Sequence, residues 1–371
     1  MIKSDVLRIA LTPEQCRRWK TQIKEFNYFR GDNDLYSLSP PEAMAVVETA
    51  TGPVNDDYVL AAITAQATTP QMLKDEIKGF GTADGPDAVL IELDPEIVDA
   101  DLMRMPVNGH RHPLKSMCVD DVVLTGIIQA VGGEPFAMIP EAGLDAIMPV
   151  SPTPGKEETR SSKGGGSLGW HIDNSGFPSK MRPEYFGLMG LISTKQVTTS
   201  FALIDDILAA LQKLDPRHER ILRETQYQCL TPISFHFDGS KQVRSDPFPI
   251  IENGPDGRPV INFNEYSLIR DHDDPSILAA LDALATVLSD PGVVRGEWIS
   301  PGKILLISNE RALHARGEVR GKRYLARLYG KRDLSALRSL PSGGDKVYRF
   351  RFMMTTDEMI AACRSQTMAV A

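Results

Sequence analysis

The chain has 371 residues, of which 42% are hydrophobic and 24% charged, and its formal net charge is -8. These proportions are typical of folded proteins and exclude a largely disordered or collagen-like chain. Because the 41 basic residues are scattered along the sequence, we expect a small-molecule partner rather than nucleic acid or an anionic membrane.

The sequence also indicates a cellular compartment. No stretch approaches the ~20 consecutive apolar residues that a membrane helix needs, and no leader-like segment opens the chain. The four cysteines, Cys16, Cys118, Cys229 and Cys363, lie far apart without a CxxC pair, so a zinc knuckle is not supported. We therefore expect a cytoplasmic protein whose cysteines are reduced and packed as small apolar side chains.

The N-terminal part, residues 1–133, is predicted to be rich in helix. Thr12 followed by Pro13 and Glu14 indicates a helix start in LTPEQCRRWKTQIKEF. DAVLIELDP (87–95) predicts a strand. Further helices are predicted in PPEAMAVVETA (40–50), TPQMLKDEIKGF (69–80) and MCVDDVVLTGIIQAVG (117–132).

Residues 134–355 consist mainly of short apolar runs separated by Gly, Pro, Asn and Asp, which predict a mostly antiparallel sheet or barrel. TPGKEETRSSKGGGSLG (153–169) is predicted to be a flexible loop, and the whole chain, 1–371, one catalytic domain. Two helices are predicted to interrupt the strands, IDDILAALQKL (204–214) and PSILAALDALATVLSD (275–290). The predicted strands include YFGLMGLIST (185–194), TTSFALI (198–204), TPISFHF (231–237), KILLIS (303–308) and RYLARLYG (323–330).

The glycine-rich loop leads into GWHIDNSGF, in which one residue separates His171 from Asp173. Alternate residues of a strand share a face, so the imidazole and the carboxylate point the same way. This pair alone does not distinguish a metal site from a hydrogen-bonded pair at a strand end, and a third ligand would be needed.

The other histidines before residue 300 have simpler interpretations. His218 lies in a charged helical stretch and is expected to be solvated, and His110 and His112 are expected to lie in an exposed loop. His272 lies among acids at a predicted helix start, where capping explains the acids. His236 is predicted to lie on a strand, where it either lines a pocket or packs in the core.

His314 follows the predicted strand KILLIS and precedes a second predicted strand on which Arg323 and Arg327 share a face. Two histidines and one carboxylate on one face of an iron ion leave up to three coordination positions open. A non-haem Fe(II) oxygenase requires this arrangement.

With these motifs the chain resembles the Fe(II)/2-oxoglutarate dioxygenases, in particular the clavaminate synthase-like and taurine dioxygenase-like group with its amino-acid hydroxylases. The resemblance implies an α+β fold whose core is a double-stranded β-helix, a distorted jelly roll, flanked by helices. It also implies Fe(II), 2-oxoglutarate and O2. The matching stretches, in the family order over about residues 140–335, are WHIDNSGFPSKMRPEYFGLMGL, QVTTSFALIDDIL, PGKILLISNERALHARG and RYLAR.

The resemblance assigns the iron ligands to His171, Asp173 and His314. Relatives that transfer chloride have a small residue at the position of Asp173, so its carboxylate argues against a halogenase. Most amino-acid hydroxylases of the clavaminate group have glutamate there, whereas aspartate is usual in taurine dioxygenases.

The resemblance places Arg323, nine residues after His314 (323 - 314 = 9), on the distal carboxylate of 2-oxoglutarate, which a guanidinium fork suits. A threonine donates to the same carboxylate in the family. Thr198 and Thr199 both have a suitable spacing, and Thr199 fits the family pattern better. Arg327 is then expected to meet an acidic group of the substrate, although the two arginines could exchange roles.

Two further residues are candidates for substrate contacts. Asp238 belongs to a set of acids between the ligand segments that could meet a basic or polar substrate, with surface solvation as the alternative. Trp170 lies beside His171 and either walls the site or packs in the core.

The function implied is hydroxylation of an unactivated C–H bond in a free amino acid or a close derivative, in specialised metabolism, with release of succinate and CO2. The same chemistry could instead give desaturation or ring closure. A cupin-like hydrolase or isomerase that uses the three ligands on zinc, and a non-catalytic sensor, are alternatives from other classes. A homo-oligomer is left open.

Overall fold

Fourteen strands lie in the residues that the computed structural model describes, which are 6–26, 57–100, 103–112, 119–143, 145–155, 158–159, 161–342 and 350–364. The strands are β1 (Leu7–Ala10), β2 (Ala88–Glu92), β3 (Glu134–Met138), β4 (Met148–Val150), β5 (Leu168–His171), β6 (Tyr185–Ser193), β7 (Thr198–Leu203), β8 (Ile251–Asn253), β9 (Pro259–Ile261), β10 (Arg295–Trp298), β11 (Lys303–Ser308), β12 (Ala312–Arg316), β13 (Arg323–Lys331) and β14 (Arg351–Phe352). The helices are α1 (Pro13–Glu25), α2 (Asp57–Thr68), α3 (Gln71–Ile77), α4 (Val119–Ala130), α5 (Ile139–Ala142), α6 (Ile204–Leu214), α7 (Pro216–Glu224), α8 (Pro275–Val287), α9 (Ser335–Arg338) and α10 (Thr356–Cys363).

The larger sheet has eight strands in the order β1-β2-β11-β6-β13-β3-β14, with β4 also paired to β13. Its centre is the antiparallel pair β6 and β13, which runs from Arg323 opposite Ser193 to Gly330 opposite Tyr185 with a register shift between Tyr324 and Leu325. The pair β1 and β2 and the pair β3 and β14 are parallel. The N-terminal part of the chain therefore adds strands β1 and β2 to the same sheet as the later segments.

The smaller sheet has four antiparallel strands in the order β10-β7-β12-β5. Its β12 and β5 pair His314 directly opposite His171, and the register shifts between His314 and Arg316. Backbone pairing thus brings together two residues that lie far apart in the sequence.

Strand alternation divides the buried apolar side chains among three layers. Phe186 of β6 packs with Phe201 of β7 between the two sheets, whereas Met189 of β6 packs against α1 to α4 on the other face of the large sheet. Leu313 of β12 packs against α6 to α8 on the outer face of the small sheet. His314, the next residue, points between the sheets, where its ring centroid lies 4.7 Å from that of Phe186.

Much of the predicted local structure is confirmed. Thr12 caps α1 by accepting a hydrogen bond from the backbone N–H of Gln15, whose side chain accepts from the N–H of Thr12. The predicted strand at 87–95 and the helices at 69–80, 117–132, 204–214 and 275–290 correspond to β2, α3, α4, α6 and α8. The helix predicted at 40–50 lies outside the described residues.

The strand predicted at 231–237 is wrong. Ile233–Phe235 forms a 3₁₀ turn after Pro232, and the N–H groups of Phe235 and His236 bond back to the carbonyls of Pro232 and Ile233. The local bonds leave these groups unable to pair with a neighbouring strand. Conversely, β12, which carries His314, was not predicted as a strand.

Among the described residues, no helix combines the length and the apolar character that crossing a membrane requires.

Candidate metal centre

Three buried side chains meet between the sheets at the end of β5. The Nε2 atom of His171 lies 3.8 Å from Oδ1 of Asp173, and Nε2 of His314 lies 3.9 Å from the same oxygen. An ion about 2.1 Å from each ligand can span such distances. His171, Asp173 and His314 each offer one ligand atom, and these atoms lie within 4.8 Å of one another.

The two imidazoles are held neutral. Burial lowers the pKa of both, and the repulsion that a second protonated imidazole would feel adds to the decrease for His314. The Nδ1 atom of His171 lies 2.8 Å from the carbonyl oxygen of Gly169, so an N–H there donates and the Nε2 lone pair stays available. A neutral imidazole with its tautomer set in this way is the form that binds a metal.

The carboxylate of Asp173 is held ionised by its neighbours. Burial raises its pKa, but the adjacent guanidinium of Arg327 opposes burial most strongly and the pKa falls below the ordinary value. Nη1 of Arg327 donates to both carboxylate oxygens, at 2.9 and 3.0 Å. The site therefore presents two neutral nitrogens and one anionic oxygen.

Asn309 fixes the backbone of the loop that carries Asp173. Its Oδ1 accepts from the N–H of Asp173 at 2.8 Å, and its Nδ2 donates to the carbonyls of Asp173 and Pro183 at 3.1 and 3.0 Å. The Asn309 side chain is fully buried. Sequence analysis did not identify Asn309, because residues 173 and 309 share no local pattern.

A cavity beside the histidines is lined by basic, hydroxyl and apolar side chains. Nη2 of Arg323 donates to Oγ1 of Thr199 at 3.2 Å. Thr198 is exposed because alternation on β7 turns it to the other face. The cavity is lined by Val150, Ser162, Leu168, His171, Phe186, Leu188, Thr199, His314, Ala315, Arg316, Arg323, Leu325 and Arg327.

Comparison with known proteins agrees with this geometry. The model of the taurine catabolism dioxygenase TauD, TfdA family matches residues 139–329. The chain belongs to this family. The family resemblance and the fold class predicted from the sequence are thus confirmed. No curated protein sequence matches the chain.

Solved structures with the same fold include two oxygenases. The chain matches asparagine oxygenase in complex with Fe(II), 2S,3S-3-hydroxyasparagine and succinate with a TM-score of 0.70 and 20% identity, covering 94% of this chain and 99% of that one. It matches the non-heme iron oxygenase OrfP in complex with Fe and alpha-ketoglutaric acid with a TM-score of 0.67 and 20% identity, covering 90% and 96%.

A second cluster in this TauD, TfdA family member is joined to Asp173 through Arg327. Oε1 of Glu141 accepts from Nη2 of Arg327 at 2.9 Å and from the hydroxyl of Tyr329 at 3.0 Å. Burial raises the pKa of Glu141, although Arg327 counteracts part of the increase. Oε2 of Glu141 is buried and has no hydrogen-bond partner among the described residues. Sequence analysis did not identify Glu141.

The structure places neither Trp170 nor Asp238, the two residues predicted to contact the substrate, among the residues that line this cavity. Trp170 alternates with His171 on β5, so it faces the outer side and packs against α6 to α8. Asp238 is exposed and accepts from the N–H of Ser240 at 3.0 Å. The exposed position of Asp238 agrees with the alternative interpretation, in which it is a solvated surface residue.

The remaining histidines take structural positions. His236 is buried, with Nε2 2.7 Å from Oγ1 of Thr231 and Nδ1 2.7 Å from Oγ of Ser240, so it packs rather than lines the cavity. His110 and His112 are half-buried rather than exposed. Asp274 caps α8 by accepting from the N–H of Ser276, as the capping interpretation near His272 expected.

The cysteine prediction can be checked at three positions. Cys16, Cys229 and Cys363 are buried free thiols, and burial raises the pKa of each. Cys118 lies outside the described residues. The three described cysteines therefore pack as apolar side chains.

Proposed function

We propose that the protein is an Fe(II)- and 2-oxoglutarate-dependent oxygenase that hydroxylates an unactivated C–H bond of an amino acid or an amino-acid derivative, with release of succinate and CO2. The observation that carries this proposal is the buried group of His171, Asp173 and His314 beside a cavity with basic side chains. Membership of a dioxygenase family supports it.

The three ligands suit ferrous iron. Two imidazoles and one carboxylate on one face leave open positions for a bidentate cosubstrate and for dioxygen. When bound, Fe(II) and 2-oxoglutarate supply the oxidising power drawn from dioxygen. The protein holds the ligands in position and excludes water from the site, since all three are at most 7% exposed.

Arg323 is the better candidate for the distal carboxylate of 2-oxoglutarate. Its Nη1 is buried without a partner among the described residues, whereas Arg327 is paired with Asp173 and Glu141. Thr199, already bonded to Arg323, can donate its hydroxyl to the same carboxylate. Since Arg327 is already neutralised by two acids, the exchange of roles left open by the sequence is disfavoured.

An amino acid fits the second cluster. Its head group carries a carboxylate and an ammonium, and the cluster offers Nε of Arg327 as a donor and Oε2 of Glu141 as an acceptor, both without a partner among the described residues. Such convergent polar groups in a buried site orient a small ligand. Solved structures of the same fold contain hydroxyasparagine and hydroxy-L-Arg, which supports an amino-acid substrate.

A non-oxidative zinc enzyme is the runner-up. Such a hydrolase or isomerase would use the three ligands but would not need a buried arginine without an acidic partner. Desaturation and ring closure share the oxidative chemistry, and only the product distinguishes them. Cytoplasmic location, a role in specialised metabolism and a homo-oligomer stay predictions.

Succinate release tests the proposal. The enzyme would be supplied with Fe(II), ascorbate and 2-oxoglutarate and screened against free amino acids and simple derivatives, with each product followed by mass. We expect a substrate that stimulates succinate release and gains one oxygen, or loses two hydrogens for desaturation or ring closure. His171→Ala should abolish the activity, while the exposed Asp238→Asn should keep it. Turnover with zinc and without 2-oxoglutarate would favour the runner-up.

A further inference from the structure

Arg316 is a buried arginine that has no acidic partner among the described residues. It lies two positions after His314 on β12 and lines the cavity of the metal centre. Its Nη2 donates to the carbonyl oxygens of Gly164 and Gly166 at 3.0 and 2.5 Å. Its Nε and Nη1 are buried, and no atom of the described residues bonds to them. The side chain therefore uses one nitrogen for the glycine-rich segment and leaves two others unused.

Arg316 and Arg323 together concentrate positive charge in this cavity. The two residues are 6% and 3% exposed. Two buried guanidinium groups without a carboxylate are costly, because buried charges are normally paired. An anionic ligand would remove this cost.

We propose that Arg316 is a second cosubstrate-binding arginine that, with Arg323 and Thr199, binds the distal carboxylate of 2-oxoglutarate and links it to the segment Gly164–Gly166. This inference rests on the proposed function. The unused Nε and Nη1 of Arg316 supply charge-assisted donors, and Nη2 holds the segment. The N–H of Val319, three residues further along the chain, also bonds to the carbonyl of Gly165 at 2.8 Å.

The link has a consequence for the glycine-rich segment. Glycine has the largest backbone entropy to lose when a segment is ordered, so this segment depends on its few tethers. If the cosubstrate fixes the Arg316 guanidinium, the bonds to Gly164 and Gly166 are fixed as well. Cosubstrate binding should then protect the adjacent bond after Lys163 from trypsin.

Binding of 2-oxoglutarate to the Fe(II)-loaded full chain without oxygen tests the assignment. Loss of a charged donor costs roughly 1.5–3 kcal/mol, so Arg316→Gln should raise the Kd about 10- to 100-fold. Arg316→Lys should recover part of the affinity, because it keeps the charge but not the fork. The exposed Arg320→Gln is the matched control and should bind as the wild type does. Cosubstrate should slow trypsin cleavage after Lys163 in the wild type and not in Arg316→Gln.

Two results would overturn the assignment while leaving the proposed function intact. One is an unchanged Kd for 2-oxoglutarate in Arg316→Gln. The other is an equal loss of Fe(II) affinity, 2-oxoglutarate affinity and thermal stability in both Arg316 variants, which would make the arginine a purely structural tether. Failure of the wild type to bind 2-oxoglutarate would instead overturn the proposed function, and this assignment with it.

Discussion

Two groups of buried arginines line the cavity at the metal centre, and they differ in how their charge is balanced. Arg327 is paired with Asp173 and Glu141. Arg316 and Arg323 have no acidic partner among the described residues. Arg323 and Arg327 lie four residues apart on β13 and are both buried, so burial alone does not explain why only Arg327 has acidic partners. The charge of the paired arginine is balanced within the protein, whereas the proposal supplies the balancing charge of the unpaired group from an anionic ligand.

The largest effect should follow from breaking the paired group. Arg327→Gln leaves Asp173 and Glu141 buried without their cation, so the free energy of unfolding should fall by about 3–5 kcal/mol. Urea denaturation of the metal-free protein measures this change. The exposed Arg320→Gln, which breaks a surface pair with Glu318, should change stability by at most about 1 kcal/mol. A similarly small loss for Arg327→Gln would show that the pairing is not structural.

The unpaired group should respond in the opposite way. Arg323→Gln removes a buried charge that lacks an acidic partner, so stability should stay within about 1 kcal/mol of the wild type or rise. The Kd for 2-oxoglutarate should rise about 30- to 100-fold, because a charged donor is lost. Anaerobic titration and denaturation of the same sample provide both values. Full affinity in this variant would assign the distal carboxylate to another residue.

Asn309 should affect the metal site through the backbone of the loop that carries Asp173. Asn309→Ala removes the three bonds that hold the backbone of Asp173 and Pro183, and Fe(II) affinity should fall about 10- to 100-fold. Competition with a chelator measures the affinity. Asn309→Asp should recover only part of the Fe(II) affinity, because its carboxylate accepts from the N–H of Asp173 but cannot donate to the carbonyls. An alanine variant with wild-type affinity would refute this positioning role.

The smallest effect concerns pH. The pKa of Glu141 is raised in the folded protein, so the folded state holds the proton more tightly than the unfolded state. The stabilisation is fully present below the ordinary pKa of glutamate, about 4.3, and is lost as pH rises through the raised pKa. The difference in unfolding free energy between the metal-free wild type and Glu141→Gln should therefore fall with pH, by at most about 1.4 kcal/mol per pH unit. A difference that rises with pH would contradict the direction of this shift.

The sequence predicted residues whose relation is local or follows the family order. His171 and Asp173 are separated by one residue, although β5 ends at His171 and Asp173 lies in the loop that follows. His314, Arg323 and Arg327 follow in the family order. Thr198 and Thr199 are consecutive residues, so the sequence spacing does not decide which of them faces the cavity. Only the orientation of β7 in the structure decides it. Thr199 faces the cavity and Thr198 does not.

The sequence did not predict the residues that act across long separations. Glu141 and Arg327 are 186 positions apart, and Asn309 and Asp173 are 136 apart. No periodicity connects such pairs, because the pairing of distant strands brings them together. Arg316 lies two residues after His314 and would share its strand face, so the sequence could have identified it. No strand was predicted at β12, and Arg316 was therefore missed. In the same way, Trp170 directly precedes His171, so strand alternation would have placed its side chain on the other face of β5.

A crystal structure with Fe(II) and 2-oxoglutarate, prepared without oxygen, tests the central claim most directly. The account predicts one metal ion bound by His171, Asp173 and His314, with the distal carboxylate of 2-oxoglutarate between Arg316 and Arg323. A metal ion bound elsewhere, or a distal carboxylate on Arg327, would contradict it.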